Sequence, residues 1–233
     1  MKIIERICNL SPAVLLLGML LGHTANLPDE TGRYGYPEGT VLKRGPYAVA
    51  FDGGSRCPRW TLEVLSREVI AGDASRVGLR FKSDADIPIE FRPTITDYME
   101  PVYDIGHMVA ANDYGERENV AATFVFTNAC PQVPEFNRGV WRRLEDHVRE
   151  LASEPDRDAW VVTAPYWTTG TVQEIGPTRV RVPHGFGKAV LLHDENGLIQ
   201  LQAWLIPHRG SEAGLDVFAG LTDDTERRLE ARR

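Results

Sequence analysis

The sequence predicts an α+β fold: a mixed or antiparallel sheet served by one prominent helix. Three observations carry this. Tyr47-Ala48-Val49-Ala50-Phe51 and Trp60-Thr61-Leu62-Glu63-Val64-Leu65 flank Asp52-Gly53-Gly54, the pattern of two strands and a turn. Val140, Trp141, Leu144, Val148 and Leu151 recur at helical spacing with charges between them. Ala159-Trp160-Val161-Val162-Thr163-Ala164 is a short apolar run of the kind that fills a buried strand.

In chain order, residues 1–25 read as an export signal. Lys2 and Arg6 outweigh Glu5, and Ala13–Leu21 is an unbroken apolar run of nine, shorter than the roughly 20 residues a membrane-spanning helix needs. Ala25 suits the last residue before cleavage, although His23 is large for its place. An uncleaved anchor and a buried N-terminal helix are the alternatives. Residues 26–40, rich in Gly, Pro and charge, form an extended lead-in. Strands start at Val41, and residues 66–101 form a long loop, the kind of segment that carries function. Asn112–Asn119 is expected to be exposed, with a helix or strand at Val120–Phe126. Beyond the helix, strands are expected at Thr178–Pro183, Ala189–Leu192 and Gly197–Pro207. Residues 41–222 make one domain, and 223–233 a polar tail.

At 233 residues the chain is long enough for a substantial core. A net charge of −7, or −8 without residues 1–25, argues against a surface coated in phosphate contacts. It does not exclude a basic groove on an acidic body. Of the cysteines, Cys8 lies in the presumed signal, while Cys57 and Cys130 are either a disulfide or two buried thiols. No Cys-x-x-Cys or Cys/His cluster suggests zinc.

Residues with chemical capacity gather between Tyr103 and Glu145. His107 closes Asp104-Ile105-Gly106-His107, Asn128 follows, and Asn137 and Glu145 sit eight apart on the helix. At 3.6 residues per turn that spacing separates them by roughly 80°, so both can address one spot. A histidine from a preceding strand would add a base to that spot.

These motifs carry a resemblance. Asp104-x-Gly106-His107, Thr127-Asn128-x-x-Pro131-Gln132 and Asn137-x-x-x-Trp141-x-x-Leu144-Glu145 resemble the DNA/RNA non-specific endonuclease family. The likeness extends through Arg80–Asp84, Asp97-Tyr98, Val182–Lys188, Trp204–Pro207 and Gly214–Phe218, covering roughly Leu42–Leu221. It implies the ββα-metal (His-Me finger) fold with a metal-bearing helix, and Mg²⁺-dependent hydrolysis of phosphodiesters in DNA, RNA or both, with Mn²⁺ as a substitute.

By the same resemblance His107 is the general base, suited by an unperturbed pKa near 6.5. Asn137 is the metal ligand, an oxygen donor for a hard cation that keeps most of its water. Glu145 holds a water of the cation's shell, Asn128 helps position the site, and Arg80 stabilises charge on the phosphate. Homodimers occur in the family; no motif here identifies a stable protein partner.

One departure stands at the signature. Ile105 occupies the position where the family usually has arginine, so either a phosphate contact is lost or Arg92 or Arg138 supplies the charge from elsewhere. The first alternative makes the chain a catalytically weakened nucleic-acid-binding member of the fold. A second change, Ala110 where many members have proline, concerns only the loop. A cytotoxic or competence protein acting with a partner would still be a nuclease. A structural or carbohydrate-binding β-rich domain gives no reason for the ordered His, Asn and Glu.

Overall fold

The computed structural model describes residues 41–194 and 197–219. The expected signal segment, the lead-in and the tail lie outside the described residues.

Six strands form one antiparallel sheet in the order β1-β2-β3-β6-β9-β10. They are β1 (Val41–Arg44), β2 (Tyr47–Asp52), β3 (Cys57–Leu65), β6 (Asp158–Tyr166), β9 (Gly185–Asp194) and β10 (Gly197–Pro207). The expected β2–β3 hairpin is present, with a register shift between Ala50 and Phe51. The strand expected over Thr178–Pro183 is only β8 (Val180–Arg181), which pairs with β7 (Glu174–Ile175).

Strand alternation gives the sheet two different faces. Leu62, Val162, Ala189, Leu191, Leu201 and Ala203 pack together on one, bordered by Trp60 and Trp160. The other packs Val161, Phe186, Val190 and Leu192 against Trp141, Leu144 and Val148 of the helical segment. That second face also carries a polar row: Thr61 pairs with Thr163, and Thr163 with Lys188, all buried. Lys188 Nζ donates to Thr163 Oγ1 at 2.7 Å and lies 5.1 Å from the Trp141 ring centroid. A buried ammonium is tolerable because hydrogen bonding and the ring face replace part of its hydration.

Between β3 and β6 the chain leaves the sheet. After α1 (Arg67–Ile70) it runs irregularly, with short 3-10 turns at Ile89–Phe91 and Ile95–Tyr98, as a long loop should. It then forms a separate hairpin of β4 (Asp104–His107) and β5 (Ala129–Gln132), with α2 (Arg117–Ala122) in the connection. The stretch expected to be exposed is not uniformly so: Asp113 and Tyr114 are buried. Arg149 donates to Asp113 at 2.8 Å and Tyr114 donates to Glu63 at 2.9 Å, partners that polarity alone cannot reveal.

After β5 comes a π-helical turn, Phe136–Trp141, which continues as α3 (Arg142–Ala152). Hairpin and helix together form a ββα unit docked on the polar row. Cys57 on β3 and Cys130 on β5 are both fully buried free thiols in the same core. Burial and the neighbouring Cys57 thiol push the Cys130 thiol well up.

Candidate active site

The β4–β5 hairpin fixes the histidine. Gly106 faces Cys130 and His107 faces Ala129 across the ladder. A Cβ on Gly106 would lie 2.1 Å from Gln132 Cδ, so glycine is required because the Gln132 side chain folds across it. Behind the hairpin Asn128 is fully buried. Its Oδ1 accepts from Val109 N at 2.9 Å, and its Nδ2 donates to Val109 O and Thr123 O at 3.0 Å each. Its own carbonyl accepts from Met108 N at 2.9 Å. Every amide function is thus committed to backbone. Asn128 does not line the cleft: it holds the chain immediately after His107, which agrees with its expected part in positioning the site and corrects only its inclusion among the catalytic groups.

His107 stands in an aromatic corner. The Phe81 ring centroid is 4.6 Å from its own, and Phe124 meets it edge-on at 4.9 Å. Nε2 is buried without a hydrogen-bond partner, which leaves Nδ1 as the nitrogen for the cleft. Burial first, and the Arg76 guanidinium second, push the imidazole pKa down to about 3. A low-dielectric wall and a nearby cation both disfavour a second positive charge. Arg76 in turn donates to Asn112 Oδ1 at 3.2 Å, with its guanidinium 5.8 Å from the Phe124 ring centroid.

The opposite wall is helical. Gly139, at φ −103° and ψ −110°, breaks regular helical geometry inside the π-helical turn. Asn137 and Glu145 therefore reach one cleft across a kink at Gly139, not along the straight α-helix assumed in counting their separation. Asn137 Nδ2 donates to Asp104 Oδ2 at 2.9 Å. That bond fixes which end of the amide is which and leaves Oδ1 without a hydrogen-bond partner among the described residues. Arg138 grips the same carboxylate with both sides of its fork, Nε to Oδ2 at 2.9 Å and Nη2 to Oδ1 at 2.6 Å. Glu145 lies one turn before Arg149, and both line the cleft. Burial raises the Glu145 pKa to about 8; Lys188 and Arg149 pull it down, while Asp113 pushes it up.

The walls enclose a cleft of about 410 Å³. His107, Asn137, Arg138 and Glu145 all line it, as does Ile105. Arg80 is exposed and is not among the lining residues; Arg76, four residues earlier, is. Arg92 turns back onto its own loop, bonding Ile87 O through Nε and Ala85 O through Nη2 at 2.8 Å. Neither Arg80 nor Arg92 therefore lines this cleft. Sequence reading also missed Arg142 and Arg149. Their signal was available, since Arg138 and Arg142, like Glu145 and Arg149, are four apart on a helix. Arg76 had none, because its loop has no periodicity to place it. His208, behind the β5 end of the hairpin, is half-buried: its ring accepts from Val133 N at 2.7 Å and donates to Pro183 O at 2.8 Å.

A hydrated divalent cation suits this cleft. An amide oxygen with its nitrogen already committed and a nearby carboxylate make an all-oxygen donor set, which hard cations prefer. Among the described residues no group of three or more His, Cys, Asp or Glu side chains is placed to hold a metal. A cation here would keep most of its water.

The model of the DNA/RNA non-specific endonuclease family matches residues 27–226. Mitochondrial nuclease EXOG of Mus musculus is 32% identical over 212 residues, covering 84% of this chain and 57% of its own length. Mitochondrial endonuclease G of Bos taurus is 31% identical over 192 residues, 78% of this chain and 64% of its own. The chain thus spans only about three fifths of those relatives. Nuclease C1 of Cunninghamella echinulata var. echinulata is 31% identical over 180 residues, 72% of this chain and 71% of its own. Among solved structures, a chain from an EndoG/EndoGI complex that describes EndoG inhibition superposes with a TM-score of 0.75. It is 28% identical, covering 86% of this chain and 89% of that one.

Proposed function

The chain belongs to the DNA/RNA non-specific endonuclease family, and from that premise we propose that it is a divalent-cation-dependent endonuclease cutting phosphodiester bonds in DNA, RNA or both. One observation carries the reading: His107 Nδ1, Asn137 and Glu145 address a single arginine-lined cleft.

In this mechanism the neutral His107, protonated on the buried Nε2, presents the Nδ1 lone pair to a water. A base must be unprotonated before it acts, and the aromatic corner keeps it so. The water oxygen bonds to phosphorus, its proton passes to Nδ1, and the bond from phosphorus to the leaving 3′ oxygen breaks. Mg²⁺, or Mn²⁺ in its place, would rest against Asn137 Oδ1 and supply positive charge to the phosphate and the leaving oxygen. Glu145 accepts hydrogen bonds from water in the cleft and orients it. Arg76 and Arg149, the first held by Asn112 and the second by Asp113, offer fixed guanidinium donors to charge building on the phosphate. Asn128 keeps the strand end from shifting. Export remains part of the proposal: a mature protein beginning near Asn26 and recovered outside the cytoplasm supports it, and an intact Met1 by mass spectrometry contradicts it.

Supercoiled plasmid incubated with the protein tests the activity. Nicking in Mg²⁺ that stops in EDTA is expected. Full activity in EDTA would overturn the cation scheme. Binding without any nicking would instead favour a silent nucleic-acid-binding member, the reading that Ile105 supports.

A further inference from the structure

Position 105 brings an apolar side chain to the cleft beside a carboxylate that is nonetheless fully engaged. Asp104 Oδ2 accepts from both Asn137 and Arg138, and Oδ1 accepts from Arg138 again. An arginine thus reaches this carboxylate, but it comes from the helix across the cleft. The Arg138 side chain is 70% exposed and Asp104 only 18%. An exposed ion pair would ordinarily contribute little, because two long side chains lose freedom to form it. Here one partner is anchored in a strand, and the bidentate fork fixes the plane of the guanidinium. Nε and one Nη2 hydrogen are used; the Nη1 amine has no partner among the described residues. One helical turn on, Arg142 lines the same cleft, exposed and without a side-chain partner among the described residues.

We propose that Arg138, aligned by Asp104 and accompanied by Arg142, is the cleft's grip on the nucleic-acid backbone, standing in from the helix for the cation that Ile105 does not supply from the strand. This rests on the nuclease reading and adds to it which chain segment holds the phosphates. Two consequences are particular to this chain. The element that carries Asn137 also carries the backbone contact, so substrate and cation are registered by one helical turn. Ile105 and Arg138 line the same cleft, so an arginine at 105 and Arg138 compete for the same phosphate.

Competition is what the experiment reads. A fluorescein-labelled DNA duplex is titrated in EDTA at salt from about 50 to 200 mM, following anisotropy, with plasmid nicking in Mg²⁺ run in parallel. Each phosphate contact contributes about 0.9 to the slope of log K against log salt on duplex DNA. Arg138→Gln is expected to lower that slope by about 0.9 and to weaken binding about tenfold at the lowest salt. Ile105→Arg in wild type should leave the slope unchanged. Ile105→Arg combined with Arg138→Gln should restore it. Arg138→Lys keeps the charge without the fork, and should keep the slope with a weaker Kd. An unaltered slope in Arg138→Gln overturns the proposal, as does a full extra contact in Ile105→Arg alone. If wild type nicks plasmid while either happens, only this inference fails. If wild type neither binds nor nicks, the nuclease reading fails with it. Thermal unfolding of each variant identifies any slope change that comes from lost folding.

Discussion

The two walls of the cleft solve opposite problems. The wall of Phe81, Phe124 and Ile105 is apolar, and the histidine on it is kept neutral by burial and, second, by the Arg76 guanidinium beside it. The facing wall, from Asn137 to Arg149, is crowded with charge, and two of its guanidiniums are held by carboxylates from elsewhere in the chain: Arg138 by Asp104, and Arg149 by Asp113. A base needs a free lone pair, and dryness supplies it. A polyanion and a cation need fixed charges of both signs, which pairing supplies. Segregating the tasks lets a neutral histidine sit in the same cleft as several guanidiniums.

The most severe way to break the contrast is His107→Ala. Turnover should fall by about 10²–10⁴, while unfolding temperature and duplex binding hold; more than a tenth of wild-type rate would sink the assignment. Next in size is Arg76→Ala, a donor to developing charge, which should cost about 10²-fold in kcat with a smaller change in KM.

Glu145→Ala should cost roughly 10–100-fold and raise the Mg²⁺ requirement, with Asn137→Ala more severe. The carboxyl also carries a sign. Raised to about 8, it is protonated at pH 7, and an entering cation favours its ionised form. Mg²⁺ binding at pH 7 should therefore release a proton, which titration calorimetry in buffers of different ionisation heat detects. Glu145→Gln should abolish that release.

Phe81→Asn sharpens the contrast from the dry side. Admitting water raises the His107 pKa from about 3 toward its ordinary value near 6.5. The base is then lost on acidification at a higher pH than in wild type. A several-fold loss at pH 5 with little change at pH 8 is expected, and a pH–rate profile checks it. The smallest effect belongs to Arg80→Ala, outside the cleft, which should stay within about twofold of wild type; a loss matching Arg76→Ala would return Arg80 to the site.

The contrast also marks what the sequence could reveal. The ladder strands and the apolar stripe of α3 were readable because burial on one face leaves a periodic trace. His107, Asn137 and Glu145 were readable because motif spacing travels with regular elements. Irregular backbone leaves no such trace. Arg76, Arg80 and Arg92 lie in the same long loop, and tertiary contacts alone decide which enters the cleft. Asn128 looked chemical for the same reason: an amide bonding three backbone groups cannot be told by type from one facing a phosphate. The kink at Gly139 escaped too, since the apolar residues around it keep nearly α-helical intervals.

The pair of sequestered thiols gives the molecule a built-in clock. Cys57 belongs to the large sheet and Cys130 to the ββα unit, and neither shows any surface to solvent. An alkylating reagent reaches each sulfur only when its own surroundings come apart. The two thiols neighbour one another, so lifting the ββα unit from the sheet uncovers both together. In protein carrying Cys8→Ser, equal labelling rates at the two positions would mean that the unit parts from its scaffold as one piece, and bound substrate or cation should slow both. Faster labelling at Cys130 would mean that the ββα unit loosens internally while its contact with the sheet holds.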